Sequence, residues 1–128
     1  MTRGEFDEML AMLASGWAAR DYDKVIACFS ENVFYADPMN YAFSDRESLL
    51  DFFTNDDGRE QTCAFHHSIF DEARQLGSAE YTYEGTYRYY GTVWVEIADG
   101  KISAWREYQH RSDKDREEFW KTNERDRS

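Results

Sequence analysis

The hydrophobic period of this chain changes once, near Gly58, and that change limits the available folds more than any other feature. Before it, Phe6, Met9, Leu10, Leu13 and Trp17 recur at helical spacing and predict an amphipathic helix over residues 4 to 19. Asp21 can cap a second helix carrying Val25, Ile26 and Phe29. "ENVFYADP" reads as a short extended piece ended by Pro38, whose ring disfavours helical geometry at Asp37. Ser44 and Glu47 then form a capping box ahead of Leu49, Leu50, Phe52 and Phe53, a third helix. From Gln61 onward the period drops to two, predicting strands at 62–74, 78–88, 90–98 and 101–111. Helices first and sheet second is an α+β layout.

With 128 residues the chain is expected to build a single domain over 1–112, without disulfide or metal staples. Residues 113–128 read as a short helix, docked by Phe119 and Trp120, and an acidic tail. Cys28 and Cys63 sit singly in apolar segments, the pattern of buried reduced thiols. The formal charge of -11, from 26 acidic against 15 basic residues, sets up a field that repels phosphate. Nucleic acid and anionic membranes are therefore not expected partners. No stretch reaches the roughly 20 apolar residues of a spanning helix and no leader precedes the first helix, so the expected location is cytoplasmic. No phosphate-cradling glycine loop is present, and His110 has no carboxylate or thiol at ligand spacing. The expectation is no cofactor and no metal.

The Asp99-Gly100 pair predicts a two-residue hairpin turn, which fixes cross-strand neighbours if the register runs on unbroken. Ile97 then faces Ile102, Val95 faces Ala104, Trp94 faces Trp105 and Thr92 faces Glu107. Trp94, Trp105 and Glu107 fall on one face of the hairpin.

The leading helix, "AARDYDKVIACFSENVFYADP", the helix after "FSDRESLL" and the ending "DGKISAWREYQH" together resemble the nuclear transport factor 2-like superfamily. The likeness is to its SnoaL-like and ketosteroid-isomerase-like members. It spans most of residues 5–112 and rests on order and spacing rather than on one fingerprint. It implies a cone-shaped, cystatin-like fold, with the three helices covering the concave face of a curved antiparallel sheet and a pocket between them. Members include isomerases, polyketide cyclases, epoxide hydrolases, dehydratases and proteins without catalysis, so the fold alone does not choose a function.

Set against the ketosteroid isomerases, "YADP" puts Asp37 where their proton-shuttling aspartate stands. Their two oxyanion donors fall on Leu13 and near Trp94, which argues against steroid isomerisation by that route. Set against limonene-type epoxide hydrolases, Glu107 in "WREY" takes the place of a catalytic aspartate. Tyr35 and Asp37 take the places of water-holding residues. The remaining arginine and aspartate of that relay fall near Tyr81 and Tyr83, which leaves it incomplete.

The resulting expectation is a pocket protein for a hydrophobic small molecule, with Asp37 and Glu107 as acid-base groups for an isomerisation or cyclisation. Trp17, Tyr35, Tyr81, Tyr83, Trp94, Trp105 and His66 are the expected ligand-binding residues. Apolar rings around Asp37 would raise its pKa. A structural reading stands beside each carboxylate: Asp37 as an acceptor tying down the loop before the third helix, Glu107 as partner to a strand residue such as Arg88. Arg106, Tyr108 and His110 point to the outer side of the sheet, where relatives often dimerise, so a homodimer is expected there. The alternatives are a non-catalytic binding or dimerisation module and an epoxide-hydrolase-like hydrolase.

Overall fold

The computed structural model describes residues 1–114, 117 and 118. Of the expected C-terminal helix, residues 117 and 118 are described and helical, while Phe119 and Trp120 lie outside the described residues. Helix α1 runs from Arg3 to Ala19 and opens on a capping box in which Thr2 and Glu5 each satisfy the other's backbone N–H. It ends where Arg20 turns left-handed, at φ 57°. Asp21 caps the short α2, Tyr22–Ile26. Helix α3, Arg46–Thr54, is capped by Asp45 rather than by Ser44, because the Asp45 carboxylate reaches the Ser48 N–H at 2.7 Å. The N-cap thus falls one residue after the expected Ser44, and the Ser48 hydroxyl donates back to the Asp45 carboxylate.

Two strands precede α3, a departure from the expected order. Strand β1, Phe29–Asp37, and strand β2, Tyr41–Phe43, form a hairpin around Pro38. Strands β3 (Thr62–Asp71), β4 (Leu76–Glu84), β5 (Arg88–Ala98) and β6 (Lys101–Arg111) follow. The six strands are ordered β2-β1-β6-β5-β4-β3. The sheet is mixed and not purely antiparallel, since β1 lies parallel to β6 while the other neighbours are antiparallel. The long connection that such a parallel pair demands runs from β1 through β2, α3 and β3 to β5 before β6.

Asp99 and Gly100 both take positive φ, 51° and 75°, which gives the expected tight β5–β6 turn. The register beyond it is not continuous. Ile97 faces Ile102, but Glu96 faces Ala104, so Ser103 is an extra residue, a β-bulge. Past the bulge Val95 faces Trp105, Trp94 faces Arg106 and Val93 faces Glu107. The bulge turns Trp105 and Glu107 onto the same face as Val93 and Val95, and leaves Trp94 on the other. The Ser103 hydroxyl donates to the Glu96 carbonyl at 3.1 Å, closing the distortion.

The core lies on the inner face. One row crosses all six strands: Phe70, Gly77, Val95, Trp105, Tyr35 and Phe43. Phe6 of α1 stacks on Phe70 with ring centroids 4.6 Å apart and sits over Gly77, where the missing side chain lets helix and sheet close up. Leu13, Val25, Phe29, Leu49 and Val93 are fully buried around it. On the outer face Trp94 (38% exposed) and Tyr108 (50%) meet solvent, and His110 is exposed. Arg106 lies 5.9 Å from the Trp94 ring centroid and pairs with Glu96 at 3.2 Å. No helix among the described residues is long and apolar enough to cross a membrane.

Candidate functional site

A cavity of about 510 Å³ opens between the helices and the inner face of the sheet. Each wall comes from a different element: Trp17 from α1, Phe53 from α3, Cys63 and Phe65 from β3, Tyr81 and Tyr83 from β4. Tyr35, Tyr41, Trp105 and Glu107 supply the floor, from β1, β2 and β6. Strand alternation explains this selection, since residues two apart on β3, β4 and β6 share the inner face. The mouth is polar, with Asp56, Asp57 and Thr86 on the loops that follow α3 and β4.

Glu107 is the charged group of the floor, 8% exposed. Its Oε1 accepts from the Tyr35 hydroxyl at 2.6 Å and from the Trp105 indole N–H at 2.9 Å, while Oε2 accepts from the Tyr41 hydroxyl at 2.5 Å. A carboxylate offers about four acceptor positions, so one remains, on Oε2. Burial pushes the Glu107 pKa above the ordinary glutamate value; the bonds from Tyr35, Tyr41 and Trp105 oppose that, and the nearby Asp37 charge adds to it. Among the described residues no arginine or lysine pairs with Glu107; Arg88, the partner considered from sequence, pairs with Glu84 at 2.7 Å. Burial, followed by the Glu107 charge, holds the Tyr35, Tyr41 and Tyr81 hydroxyls far above the phenol range. They stay protonated and able to donate. The same two causes push the Cys63 thiol up to about 12, so it is no nucleophile near neutral pH.

Asp37 is buried and lies outside this lining; it lines instead a shallower hollow of about 340 Å³ that shares Asn40 and Tyr41 with the cavity. Its oxygens accept from the Met39 N–H at 2.9 Å, the Asn40 side chain at 3.0 Å and the Gln109 side chain at 2.9 Å. The expected rise in its pKa is also reversed. Burial alone would raise it, but the donors from Asn40, Met39 and Gln109 outweigh that and hold it below the usual aspartate value. Asp37 ties down the turn after β1, and it touches the cavity only through Asn40 and Gln109. Gln109 in turn accepts from the Tyr81 hydroxyl at 2.5 Å.

Of the other residues singled out from sequence, Trp17, Tyr35, Tyr81, Tyr83 and Trp105 line the cavity with Glu107. Trp94 does not, because the bulge at Ser103 turns it outward against Arg106. His66 does not either. It sits in the β3 irregularity between Phe65 and His67, and its Nε2 lies 2.9 Å from the hydroxyl of Thr82, whose strand neighbours Tyr81 and Tyr83 take the inner face. Among the lining residues that the sequence reading did not single out are Tyr41, Gln61, Cys63 and Gln109. Gln109 was within reach of it, two positions after Glu107 on the same strand. Gln61 braces the wall by donating to the Trp17 carbonyl at 2.6 Å and to the Tyr22 hydroxyl at 2.9 Å, and by accepting from Tyr83 at 2.6 Å.

Residues 6–105 match the family model of the SnoaL-like domain. The chain belongs to the SnoaL-like family. Glu107 and Gln109 lie just beyond the matched span, so their place in this SnoaL-like protein rests on geometry. No curated protein sequence matches it. Its fold is similar to that of an LEH-like epoxide hydrolase from M. tuberculosis, with a TM-score of 0.73 at 17% identity over 92% of this chain and 88% of that one. A cystatin-like protein of unknown function from Methylobium petroleophilum gives 0.74 at 18%, covering 91% and 82%. A Catenulispora acidiphila protein with a ketosteroid isomerase-like fold, solved in complex with trimethylamine, gives 0.68 at 13%, covering 79% and 84%. At such identities the likeness concerns fold alone. Among the described residues, no group of three His, Cys, Asp or Glu side chains is placed to hold a metal ion.

Proposed function

We propose that this SnoaL-like protein binds a hydrophobic small molecule in the aromatic cavity and moves a proton on it through Glu107. The supporting observation is the one open acceptor position, on Oε2 of a buried carboxyl that lines about 510 Å³ of cavity. Burial brings such a group toward the range in which it can both take and return a proton near neutral pH. Tyr35, Tyr41 and Trp105 keep it in place, so little reorganisation is needed when its charge changes. Asp37 acts at one remove, by orienting Gln109 and the Asn40 turn. Isomerisation or cyclisation of a ring-bearing ligand suits this arrangement better than epoxide opening, because the resemblance to epoxide hydrolases puts their further relay groups near Tyr81 and Tyr83, which are neither arginine nor aspartate.

The test begins with a ligand found by thermal-shift screening and followed for turnover. Glu107→Gln should keep the fold and lower kcat by at least about a hundredfold, the lower end of what a positioned acid-base group supplies. Asp37→Asn should lower kcat far less. Equal turnover in wild type and Glu107→Gln would refute the role of Glu107, and a larger loss in Asp37→Asn would return the base to Asp37.

A further inference from the structure

We infer that the ligand of this cavity is a hydrophobic organic cation, an alkylated amine carried as its ammonium form. The inference rests on the pocket reading above and adds the ligand's charge. Three observations on the lining lead to it.

The first concerns charge. The carboxyl groups of the lining are Glu107, Asp56 and Asp57, and no Lys, Arg or His belongs to it. Arg20 pairs with Asp56 at 3.1 Å and Arg59 with Asp57 at 3.8 Å, so the mouth is partly neutralised. The floor is not: Glu107 has no cationic partner among the described residues, and Asp37 stands behind Gln109 with its carboxylate on neutral donors.

The second concerns hydrogen-bond polarity. The ring and hydroxyl donors around the floor are committed inside the protein, and the Asn40 and Gln109 amides each give one N–H to Asp37. Tyr35, Tyr41 and Trp105 donate to Glu107, Tyr81 donates to Gln109, and Tyr83 donates to Gln61. Gln61 spends its amide on Trp17 and Tyr22, and Tyr22 spends its hydroxyl on Asp56. What such groups leave toward the cavity is lone pairs, above all the open position on Glu107 Oε2. An anionic or carbonyl-rich ligand would meet acceptors. An ammonium N–H would meet its complement.

The third is the ring content of the walls. Trp17, Tyr35, Phe53, Phe65, Tyr81 and Trp105 surround the space above Glu107. Aromatic faces attract a cation and bury its alkyl groups at once, and a desolvated site strengthens that attraction. A neutral hydrophobe would gain only the burial.

The test uses three probes of similar size on the full chain: N,N-dimethylbenzylamine, which at neutral pH is an ammonium carrying one N–H, its neutral carbon isostere isobutylbenzene, and the anion 3-phenylpropionate. Calorimetric titration should show the ammonium binding about tenfold or more tighter than the isostere, the equivalent of one good cation–π or carboxylate contact, with no binding of the anion. Glu107→Gln should lose about that factor for the ammonium and leave the isostere unchanged. An isostere or anion that binds wild type as tightly as the ammonium overturns the inference. So does the absence of binding by all three at millimolar concentration. The wild-type comparison decides even if the variant folds poorly. The two readings fail separately: a neutral ligand turned over through Glu107 would leave the acid-base proposal standing, while a cation bound tightly with turnover untouched in Glu107→Gln would leave only the cation site.

Discussion

At the scale of single residues, the two carboxylates proposed from sequence have opposite environments, and the difference shows in how each titrates. Glu107 is buried with its pKa raised, so the folded protein holds its proton more tightly than the unfolded chain does. Stability must therefore fall as pH rises from about 4.3, the unfolded glutamate value, up to the folded pKa, at about 1.4 kcal/mol for each pH unit crossed. Asp37 has its pKa lowered, so its contribution is present above the unfolded aspartate value and is lost only as pH falls below it. The two windows do not overlap. Glu107→Gln should consequently be more stable than wild type near neutral pH, and the gap should shrink to little at pH 4, as urea unfolding across this range will show. A gap that is constant with pH would mean that Glu107 ionises normally in the fold. Glu107 was legible in the sequence because "WREY" resembles a known catalytic run, and Gln109 could have been found by strand alternation. Tyr41 could not. It reaches Glu107 only because the chain reverses at Pro38, and nothing in the residues around it gives the direction of that reversal.

At the scale of elements, the sequence revealed which segments are helix and which are strand, but not how two of them meet. The Asp99-Gly100 turn was legible because only a few residue pairs tolerate two positive φ angles in succession. The bulge three residues further on was not, since Ser103 is an ordinary strand residue and only the pairing of β6 with β5 reveals the extra position. That one residue decides whether Trp94 or Val95 shares the inner face with Glu107. The parallel pairing of β1 with β6 was hidden for a related reason: it joins segments about 70 positions apart, and "ENVFYADP" alone has no pattern that names a partner. Helix-on-sheet packing, by contrast, leaves a local mark at Gly77. A Cβ there would stand 2.5 Å from Phe6 Cζ and 2.9 Å from Phe70 Cδ1, both on rings stacked in the core. Gly77→Ala should cost about 1–3 kcal/mol through overpacking, read as a melting temperature lower by several degrees. Adding Phe6→Leu should recover part of the loss, because the two residues share one space; additive losses in the double variant would show that they do not.

At the scale of the whole molecule, a formal charge of -11 and an exposed aromatic sheet face act against each other. One outer row runs Ile69, Ser78, Trp94, Arg106 across four strands, and the next runs His67, Glu80, Thr92, Tyr108. Ile69 is 68% exposed, and among the described residues no element covers Trp94 and Tyr108 beside it, while Arg106 is already matched by Glu96. We propose that a second copy of the chain covers this face, its aromatic anchors meeting their own counterparts across a two-fold axis. Bringing two such copies together sets like net charges against each other, a repulsion that salt screens over about 10 Å at 0.1 M. The dimer should therefore tighten with salt, the reverse of an association driven by charge attraction. Sedimentation velocity at low and moderate ionic strength should show the dimer fraction rising with salt at fixed protein concentration. Trp94→Glu should give monomer in both while leaving the cavity probes bound as before, since Trp94 lies on the opposite face from Glu107. A wild-type monomer at every salt and protein concentration would remove the second copy, and a dimer that survives Trp94→Glu would place the contact elsewhere.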